Sequence, residues 1–318
     1  MDVINISKKN NNSSVQDNTL VTICVTSYNR PEGLNKVLLC LTQQTHKKLQ
    51  IIVSDDCSPD KNVEKIIINH AKQDQRIEYY IQNKNLFYLK NLKFTLDKVV
   101  GDFVMWCDDD DWYHPAYVEK CLSALMQDDE AITAFSYYNE ANEFGEINTS
   151  YPNQAILLER LTNKNAVMRL LAYLFAYNGY GYCNIYYGLH RRSILSWFNP
   201  EGFGMALDMD VGMRLISLKH LALVREYLYK KNIGTKKEYL QSDINASVDK
   251  SYKVFLLKTS SILTTYSVRV IDYFKILPLN HGIIIAIFAP IWISSVIAIS
   301  AVHFLKKIHM HLKGKKFF

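Results

Sequence analysis

Hydrophobic residues in the first half of the chain follow two alternating spacings. Short runs rich in β-branched and aromatic residues predict five strands. These strands cover residues 19–25, 49–53, 76–81, 102–107 and 131–138. Between them, apolar residues at helical spacing follow Pro31 and Pro115, and proline is favoured in the first turn of a helix. The alternation of strands and helices predicts an α/β fold with a mostly parallel central sheet flanked by helices.

The pattern becomes less regular after residue 139. Residues 140–205 are rich in Tyr, Asn and Gly, and the stretch 179–188 is more typical of a wall or lid beside a site than of a core element. Residues 206–218 predict a helix that begins at an acidic pair. From 241 to 275 the spacing indicates an amphipathic helical linker.

The last part of the chain is strongly apolar. Residues 276–305 contain no Asp, Glu, Lys or Arg, and a segment of about 20 apolar residues suffices to cross a hydrocarbon core. We expect membrane contact, although a buried helix of the main domain has a similar composition. Because Pro290 can kink a helix and the flanking charges are balanced, a single span, a re-entrant segment and an in-plane anchor all remain open.

Charge and composition narrow the class of protein. The chain has 318 residues, of which 48% are hydrophobic and 21% charged, which excludes a disordered or collagen-like protein. The formal net charge is +6, and residues 306–318 contribute five lysines and no acid to it. Nucleic-acid binding is associated with basic residues spread over one face, so we expect no nucleic-acid partner. A basic tail after an apolar segment instead favours the cytoplasmic face of a membrane with anionic headgroups.

Two further features bear on compartment and chemistry. Residues 1–18 are polar and lack the apolar segment of a secretory signal, so we interpret them as a disordered lead-in. Six cysteines occur without a Cys-x-x-Cys pair, which is typical of a reducing compartment. His114 and His190 are expected to be structural or rim residues, because no histidine spacing supports a zinc site.

Acidic residues follow two of the predicted strands. Four consecutive carboxylates, Asp108 to Asp111, come after the fourth strand, and Asp55 and Asp56 come after the second. In a sheet of this type ligands bind beyond the carboxyl ends of the strands. A divalent cation would offset the mutual repulsion of the four carboxylates, since Mg²⁺ uses one or two carboxylates together with substrate phosphates. The alternative is a solvated acidic turn, because Asp is common in turns and helix caps.

Three blocks of the sequence, in order and spacing, resemble one family. Residues 21–60 (VTICVTSYNRPEGLNKVLLCLTQQTHKKLQIIVSDDCSPD), 101–115 (GDFVMWCDDDDWYHP) and 206–215 (ALDMDVGMRL) are similar to the motifs of glycosyltransferase family 2. The resemblance covers about residues 19–240. It implies a GT-A-type, Rossmann-like fold with a nucleotide-sugar half, 19–139, and an acceptor half, 140–240.

The resemblance also implies roles at the donor end. Thr26, Tyr28 and Asp56 would hold the nucleoside, with Asp56 facing the edge of a uracil-type base. Arg30 and Lys90 could contact phosphate, although exposed basic residues on a solvated face would look the same in the sequence.

The same resemblance assigns a metal. Asp110 would ligate the Mn²⁺ or Mg²⁺ that bridges the donor diphosphate. The register of the second carboxylate in this Asp-x-Asp type of motif stays open, because Asp108 and Asp109 both fit as donor-binding residues.

A third implied role is that of a general base. Asp208 stands six residues before Arg214, as the family's base does. The family usually has a Glu-Asp pair here, and Leu207 replaces the Glu, so Asp210 is the second candidate. A helix cap is the alternative role for Asp208. Chemistry supports a carboxylate remote in sequence from the metal ligands, because the acceptor hydroxyl loses its proton on the side opposite the leaving group.

Together these features favour a membrane-associated inverting glycosyltransferase. The expected donor is a nucleotide sugar, most simply a UDP-sugar, and the expected acceptor is a saccharide or a lipid-linked intermediate of surface polysaccharide or glycolipid synthesis. A sugar-phosphate nucleotidyltransferase is a second hypothesis, disfavoured because residues 26–33 carry only one Gly and one Arg. A membrane-tethered scaffold that only binds nucleotide or cations is the third, and the departure at Leu207 keeps it open.

Overall fold

The structure of the protein, a computed structural model, describes residues 16–141, 154–175, 183–200 and 207–232. Eight strands run in chain order: β1 Val21–Ser27, β2 Leu49–Asp55, β3 Ile77–Ile81, β4 Phe103–Cys107, β5 Trp112–Tyr113, β6 Thr133–Ala141, β7 Leu189–Arg191 and β8 Ala222–Asn232. The α-helices among these residues are α1 Pro31–Thr42, α2 Lys61–Gln73, α3 Tyr88–Leu96, α4 Tyr117–Gln127, α5 Gln154–Arg160, α6 Ala166–Phe175 and α7 Leu207–Leu218. Two 3₁₀ helices, Cys183–Tyr187 and Arg192–Ser196, flank β7.

The strands form one sheet in the order β3-β2-β1-β4-β7-β6-β8-β5. Strands β3, β2, β1 and β4 are parallel neighbours, and β6 is parallel to β8. Strand β7 is antiparallel to both β4 and β6, and β5 is antiparallel to β8. The chain passes from β1 outward to β3 and then returns to the other side of β1 as β4. This reversal places the topological switch point between β1 and β4.

Local sequence explains the first helices. Pro31 occupies the start of α1, where its missing N–H costs no hydrogen bond, and Leu34, Leu38 and Leu41 face the core from the same side. The side chain of Asp60 caps α2 by accepting a hydrogen bond of 2.9 Å from the backbone N–H of Asn62. These helices therefore begin where the chain leaves the carboxyl ends of β1 and β2.

The core lies on both faces of the parallel strands. Every residue of β1, β2 and β4 is buried, which explains why apolar residues stand at consecutive positions in these strands, as in 23–25, 51–53 and 103–107, rather than at alternating ones. The Trp106 ring of β4 stacks on His190 with centroids 4.5 Å apart. His190 Nε2 lies 3.0 Å from the Tyr186 carbonyl, which can only accept, so Nε2 carries the proton. Burial lowers the pKa of His190 to about 4, and this histidine is a neutral core residue.

The five predicted strands and the helices after Pro31 and Pro115 are confirmed, with shifts of a few residues at their ends. The helix predicted over 206–218 is confirmed as α7. In 140–205, where the sequence pattern is less regular, the structure describes two α-helices, α5 and α6. Within 179–188, Ile185 is fully buried and belongs to the core, so this stretch is only partly a wall.

The described part of the chain contains no helix long and apolar enough to cross a membrane. The predicted linker 241–275, the apolar segment 276–305 and the basic tail 306–318 lie outside the described residues. The same holds for most of the predicted lead-in 1–18, of which only 16–18 are described.

Candidate active site

A cavity of about 1440 Å³ opens beyond the carboxyl ends of β1, β2 and β4. Such a crevice is where ligands bind in open α/β sheets. The turn after each of the three strands contributes to it, and α7 contributes from a distant part of the sequence. Nine of the residues singled out in the sequence line this cavity: Thr26, Tyr28, Arg30, Asp56, Lys90, Asp108, Asp109, Leu207 and Asp208. Asp110 is not among the lining residues.

Asp109 and Asp111 are anchored to the sheet. Ser27 Oγ at the end of β1 donates a hydrogen bond of 2.7 Å to Asp109 Oδ2. The Tyr229 hydroxyl and the Asn232 backbone N–H, both on β8, donate to the carboxylate of Asp111. Asp109 and Asp111 are almost completely buried. Their contacts fix the acidic turn between two strands that are distant in sequence.

Asp108 and Asp110 have different surroundings. The Tyr187 hydroxyl donates a hydrogen bond of 2.6 Å to Asp108 Oδ2, and Asp108 lines the cavity. Arg30 Nη1 donates to Asp110 Oδ2 over 2.8 Å, and Asn232 Nδ2 donates to the same oxygen over 3.4 Å. The Asp110 side chain is 23% exposed, whereas that of Asp109 is 7% exposed. Arg30 Nη1 also donates to Asp109 Oδ1 over 3.3 Å, so one guanidinium group joins Asp109 and Asp110. Of the four carboxylates, Asp108 and Asp109 line the cavity.

The four carboxyl groups of the acidic turn all have raised pKa values. Burial raises the pKa of every carboxyl group from 108 to 111, that of Asp109 to about 6. The pKa of Asp111 lies well above its usual range because of burial and, to a smaller extent, the negative charges of Asp108 and Asp110. The cations Arg30 and Lys231 lower the pKa values of Asp108 and Asp110, but less than burial raises them.

These residues fit a divalent cation. Carboxylate oxygens are the ligands that Mg²⁺ and Mn²⁺ prefer, and desolvated carboxylates gain most from a nearby positive charge. Asp108 presents such oxygens in the lining of the cavity, and Asp110 is hydrogen-bonded to Arg30, which also lines the cavity. Within the described ranges, no group of three His, Cys, Asp or Glu side chains is arranged to hold a metal ion.

Asp56 lies at the end of the cavity nearest β2. Its backbone N–H donates to the Ser27 carbonyl over 2.9 Å, which places it beside the turn that carries Thr26 and Tyr28. The backbone N–H of Leu86 donates to Asp56 Oδ1 over 2.6 Å. The structure thus brings together the three residues that the resemblance assigned to the nucleoside.

Asp208 reaches the cavity from the first turn of α7. Its position is 100 residues after Asp108. Burial raises the pKa of the Asp108 carboxyl and the Tyr187 hydrogen bond lowers it. The negative charge of Asp208 raises the same pKa by a smaller amount. Leu207, which replaces the expected Glu, also lines the cavity and is 5% exposed. The side chain of Asp210 lies outside what the structure describes.

The segment after β3 forms a wall of the cavity that the sequence pattern did not predict, at residues 85–91. Tyr186 and Tyr187 form another part, and they lie in the stretch 179–188 that the sequence indicates as a wall or lid beside a site. The signal was the polar stretch that follows the third predicted strand, since the rule about strand ends applies to β3 as well. Lys90, weighed in the sequence only as a phosphate contact or a surface residue, belongs to this wall.

Gly33 in α1 lies against the acidic turn. A Cβ added at this position would stand 2.5 Å from the Asp109 carbonyl oxygen, which is a backbone atom that cannot move by itself. Gly33→Ala should therefore lower stability by about 1–3 kcal/mol through overpacking, although alanine is the better helix former. We also expect ligand affinity at the cavity to fall, because the turn must shift. Urea unfolding and nucleotide titration check both effects.

Gly212 provides the matched control for Gly33. It also lies in a helix, α7, and its added Cβ would first meet the Tyr173 hydroxyl at 2.8 Å, the end of a side chain. Gly212→Ala should cost less than Gly33→Ala in stability and in affinity. Equal losses in the two variants would contradict the view that Gly33 positions the acidic turn.

The switch-point cavity and its acidic strand ends define a GT-A-like α/β fold. A family profile described as glycosyl transferase family 2 matches residues 22–191, more than half of the chain. The chain belongs to this glycosyltransferase family. The match includes the turns that carry Asp56 and Asp108 and ends before Asp208.

Curated relatives agree with this family. Protein CgeD of Bacillus subtilis (strain 168) is 28% identical over 203 residues, which is 60% of this chain and 42% of the relative. The GalNAc(5)-diNAcBac-PP-undecaprenol beta-1,3-glucosyltransferase of Campylobacter jejuni is 36% identical over 108 residues, which is 34% of this chain and 33% of the relative. The chain thus spans less than half of the length of either relative.

Solved structures show the same fold. TarS 1-349 of S. aureus in complex with UDP superposes with a TM-score of 0.52 at 16% identity, covering 70% of this chain and 62% of that one. The mannosyltransferase PcManGT of Pyrobaculum calidifontis, in complex with GDP-Man and Mn²⁺, gives a TM-score of 0.51 at 11% identity, covering 92% of this chain and 81% of that one.

Proposed function

We propose that the protein is an inverting, metal-assisted glycosyltransferase that moves a sugar from a nucleotide diphosphate to an acceptor hydroxyl. The observation that carries this proposal is the convergence of Asp56, Asp108 and Asp208 on one cavity. They come from three separate parts of the chain and serve the nucleoside, the diphosphate and the acceptor, respectively. The solved neighbours bound to UDP or to GDP-Man support a nucleotide-sugar donor.

The donor is held at the β1–β2 end of the cavity. Asp56 accepts a hydrogen bond from an N–H at the edge of the base, and Thr26 and Tyr28 bind the nucleoside from the adjacent turn. Because an imide N–H of uracil is the simplest partner for one carboxylate, we propose a UDP-sugar. Arg30 and Lys90 line the same cavity and supply positive charge near the diphosphate.

Asp110 and Asp108 are the residues that would hold Mn²⁺ or Mg²⁺. When bound there, the cation would act as a Lewis acid toward the leaving diphosphate. Tyr187 orients the Asp108 carboxylate through its 2.6 Å hydrogen bond. Arg30 and Asn232 restrict the Asp110 carboxylate in the same way. The protein thus holds both carboxylates in place before the donor arrives, which lowers the cost of binding.

Asp208 acts as the general base. The acceptor oxygen attacks the anomeric carbon and forms the new glycosidic bond while the bond from that carbon to the phosphate oxygen breaks. The diphosphate leaves with the electron pair, and the proton of the acceptor hydroxyl goes to the Asp208 carboxylate. Because attack and departure occur on opposite sides of the carbon, the anomeric configuration inverts.

The stereochemistry of the product tests this proposal. The purified protein is incubated with Mn²⁺ and a panel of nucleotide sugars and saccharide acceptors, and the product is examined by proton NMR. From an α-linked donor we expect a β-linked product. An α-linked product would show that Asp208 does not act by direct displacement. Binding of nucleotide without any transfer or donor hydrolysis would support the scaffold instead.

The proposal also includes the location of the enzyme and the class of its acceptor. We propose that residues 276–305 and the basic tail hold the enzyme at the cytoplasmic face of a membrane, where lipid-linked or saccharide acceptors of surface polysaccharide synthesis are available. Their support is the sequence pattern alone: an uncharged apolar segment followed by five lysines.

Removing residues 276–318 should move the protein from the membrane fraction to the supernatant. The reason is that the apolar segment and the lysine tail both favour the bilayer surface. Sedimentation of membranes from cells that express either form measures the change, and donor hydrolysis by the released protein verifies its fold. Truncated protein that sediments with membranes as before would contradict the proposed anchor.

A further inference from the structure

Phe87 has an unusual position at the mouth of the cavity. It precedes α3, lines the cavity, and leaves 75% of its surface exposed. Its backbone has φ 65° and ψ 157°, a conformation that essentially only glycine adopts without strain. An exposed aromatic residue by itself requires no explanation. An exposed aromatic residue with a strained backbone beside a cavity requires an explanation, because such strain is common at ligand sites.

Neighbouring groups hold this conformation. Asn85 Oδ1 accepts the backbone N–H of Phe87 over 2.8 Å, and the Phe87 carbonyl accepts the backbone N–H of Asn91 over 3.0 Å. Asn91 is in turn buried and donates through its side-chain amide to the Ser54 carbonyl of β2. The carbonyl group of Phe87 is therefore linked to the sheet through Asn91, and its N–H group is held in an Asx turn by Asn85.

Asp56 joins this segment to the turn after β1. The Leu86 N–H donates to the Asp56 carboxylate, and the Asp56 N–H donates to the Ser27 carbonyl. Phe87 and Tyr28 therefore each lie one residue away from a group bonded to Asp56. Tyr28 is also an exposed aromatic residue, at 47%. Asp56 thus lies between two segments that each carry an exposed aromatic residue, Tyr28 after β1 and Phe87 before α3. Both residues line the cavity.

We propose that Phe87 is a second aromatic wall of the nucleobase subsite, so that the base stacks against Phe87 as well as Tyr28 while its N–H edge meets Asp56. This inference rests on the proposed function and adds to it a residue that determines donor affinity. A planar heterocycle is the ligand that an aromatic wall beside a hydrogen-bond acceptor recognises, because every base presents a flat face for stacking.

Phe87→Gly separates stacking from folding. Glycine removes the ring and adopts the same backbone without strain, so thermal stability should hold or rise. Stacking of a base on an aromatic side chain is worth enough that the Kd for UDP should rise about fivefold or more. The rise should be the same for uridine as for UDP, because the phosphates do not meet the ring. Calorimetric titration and thermal unfolding of the full chain measure these effects.

Further variants decide which contact matters. Phe87→Trp should retain the UDP affinity and Phe87→Leu should lose it, since leucine keeps the apolar surface without an aromatic face. Tyr79→Ala removes an exposed aromatic residue of β3 that does not line the cavity, and it should leave the affinity unchanged. Loss of stability in Phe87→Gly, or unchanged UDP affinity together with a raised KM for the acceptor, would overturn the inference.

Failure of the proposed function gives a different result. If wild-type protein binds neither UDP nor GDP, there is no nucleotide subsite and the transferase proposal itself fails. If wild type binds UDP and Phe87→Gly binds it equally well, only the role of Phe87 fails.

Discussion

Replacing Asp208 by Asn should lower kcat for sugar transfer about 100-fold or more, because general-base catalysis typically contributes a factor of 10²–10⁴. Asparagine keeps the shape of the side chain but cannot take the proton of the acceptor hydroxyl. We assign no contact with the nucleoside to Asp208, so the Kd for UDP should stay within about twofold of wild type. Steady-state kinetics and calorimetric titration of UDP measure the two quantities.

Asp210→Asn is the matched control for this result. Asp210 lies two residues later in α7 and is the second candidate for the base. We expect its replacement to reduce kcat much less than the replacement of Asp208. If Asp210→Asn abolishes transfer and Asp208→Asn does not, the base has been assigned to the wrong carboxylate.

Asp110→Asn should abolish most of the metal-stimulated activity, with a loss of about 100-fold or more, since a bound cation contributes several kcal/mol of charge stabilisation. The substitution also removes one negative charge from a cluster whose carboxyl pKa values are raised by burial. Stability near neutral pH should therefore hold or increase even though Arg30 loses an ionic partner. Donor hydrolysis over a Mn²⁺ titration and urea unfolding check these opposite effects.

Asp129→Asn serves as its control. The Asp129 side chain is 95% exposed and its ion pair with Arg191 is long, at 3.6 Å, so activity and stability should both remain close to wild type. A fall in the stability of Asp110→Asn would mean that Asp110 is mainly a structural partner of Arg30. Unchanged metal dependence would remove Asp110 from the metal site.

The sequence was most informative where burial is continuous. Strands β1, β2 and β4 are buried on both faces, so apolar residues occupy consecutive positions in them, as in 23–25, 51–53 and 103–107, and this pattern differs from helical spacing. The rule that ligands bind beyond strand ends then located Thr26, Asp56 and Asp108 at one edge of the sheet. The structure places all three at the same cavity.

Long-range pairing explains most of what the sequence did not reveal. Strand β8 contains Arg, Glu and Lys residues, and only Leu228 and Tyr229 in it are buried. It is a strand because it pairs with β6, about 90 positions earlier in the chain, and local periodicity carries no sign of such a partner. The contacts that distinguish Asp109 from Asp110 are equally distant, since Ser27 lies 82 positions before Asp109 and Asn232 lies 122 positions after Asp110.

The exposure of Phe87 could not be predicted from the sequence for a related reason. Phe is among the residue types most often buried in folded proteins. Its positive φ and its exposure follow from hydrogen bonds to Asn85 and Asn91, which no spacing rule detects.

We propose that this cavity is the place where sugar is transferred from a nucleotide diphosphate. The most direct measurement is the release of nucleotide diphosphate from UDP-sugars and GDP-mannose by the protein, with EDTA and with Mn²⁺ or Mg²⁺. We expect release that requires the metal, increases when a suitable acceptor is added, and is largely lost in Asp110→Asn. Nucleotide binding without release under any of these conditions would contradict it.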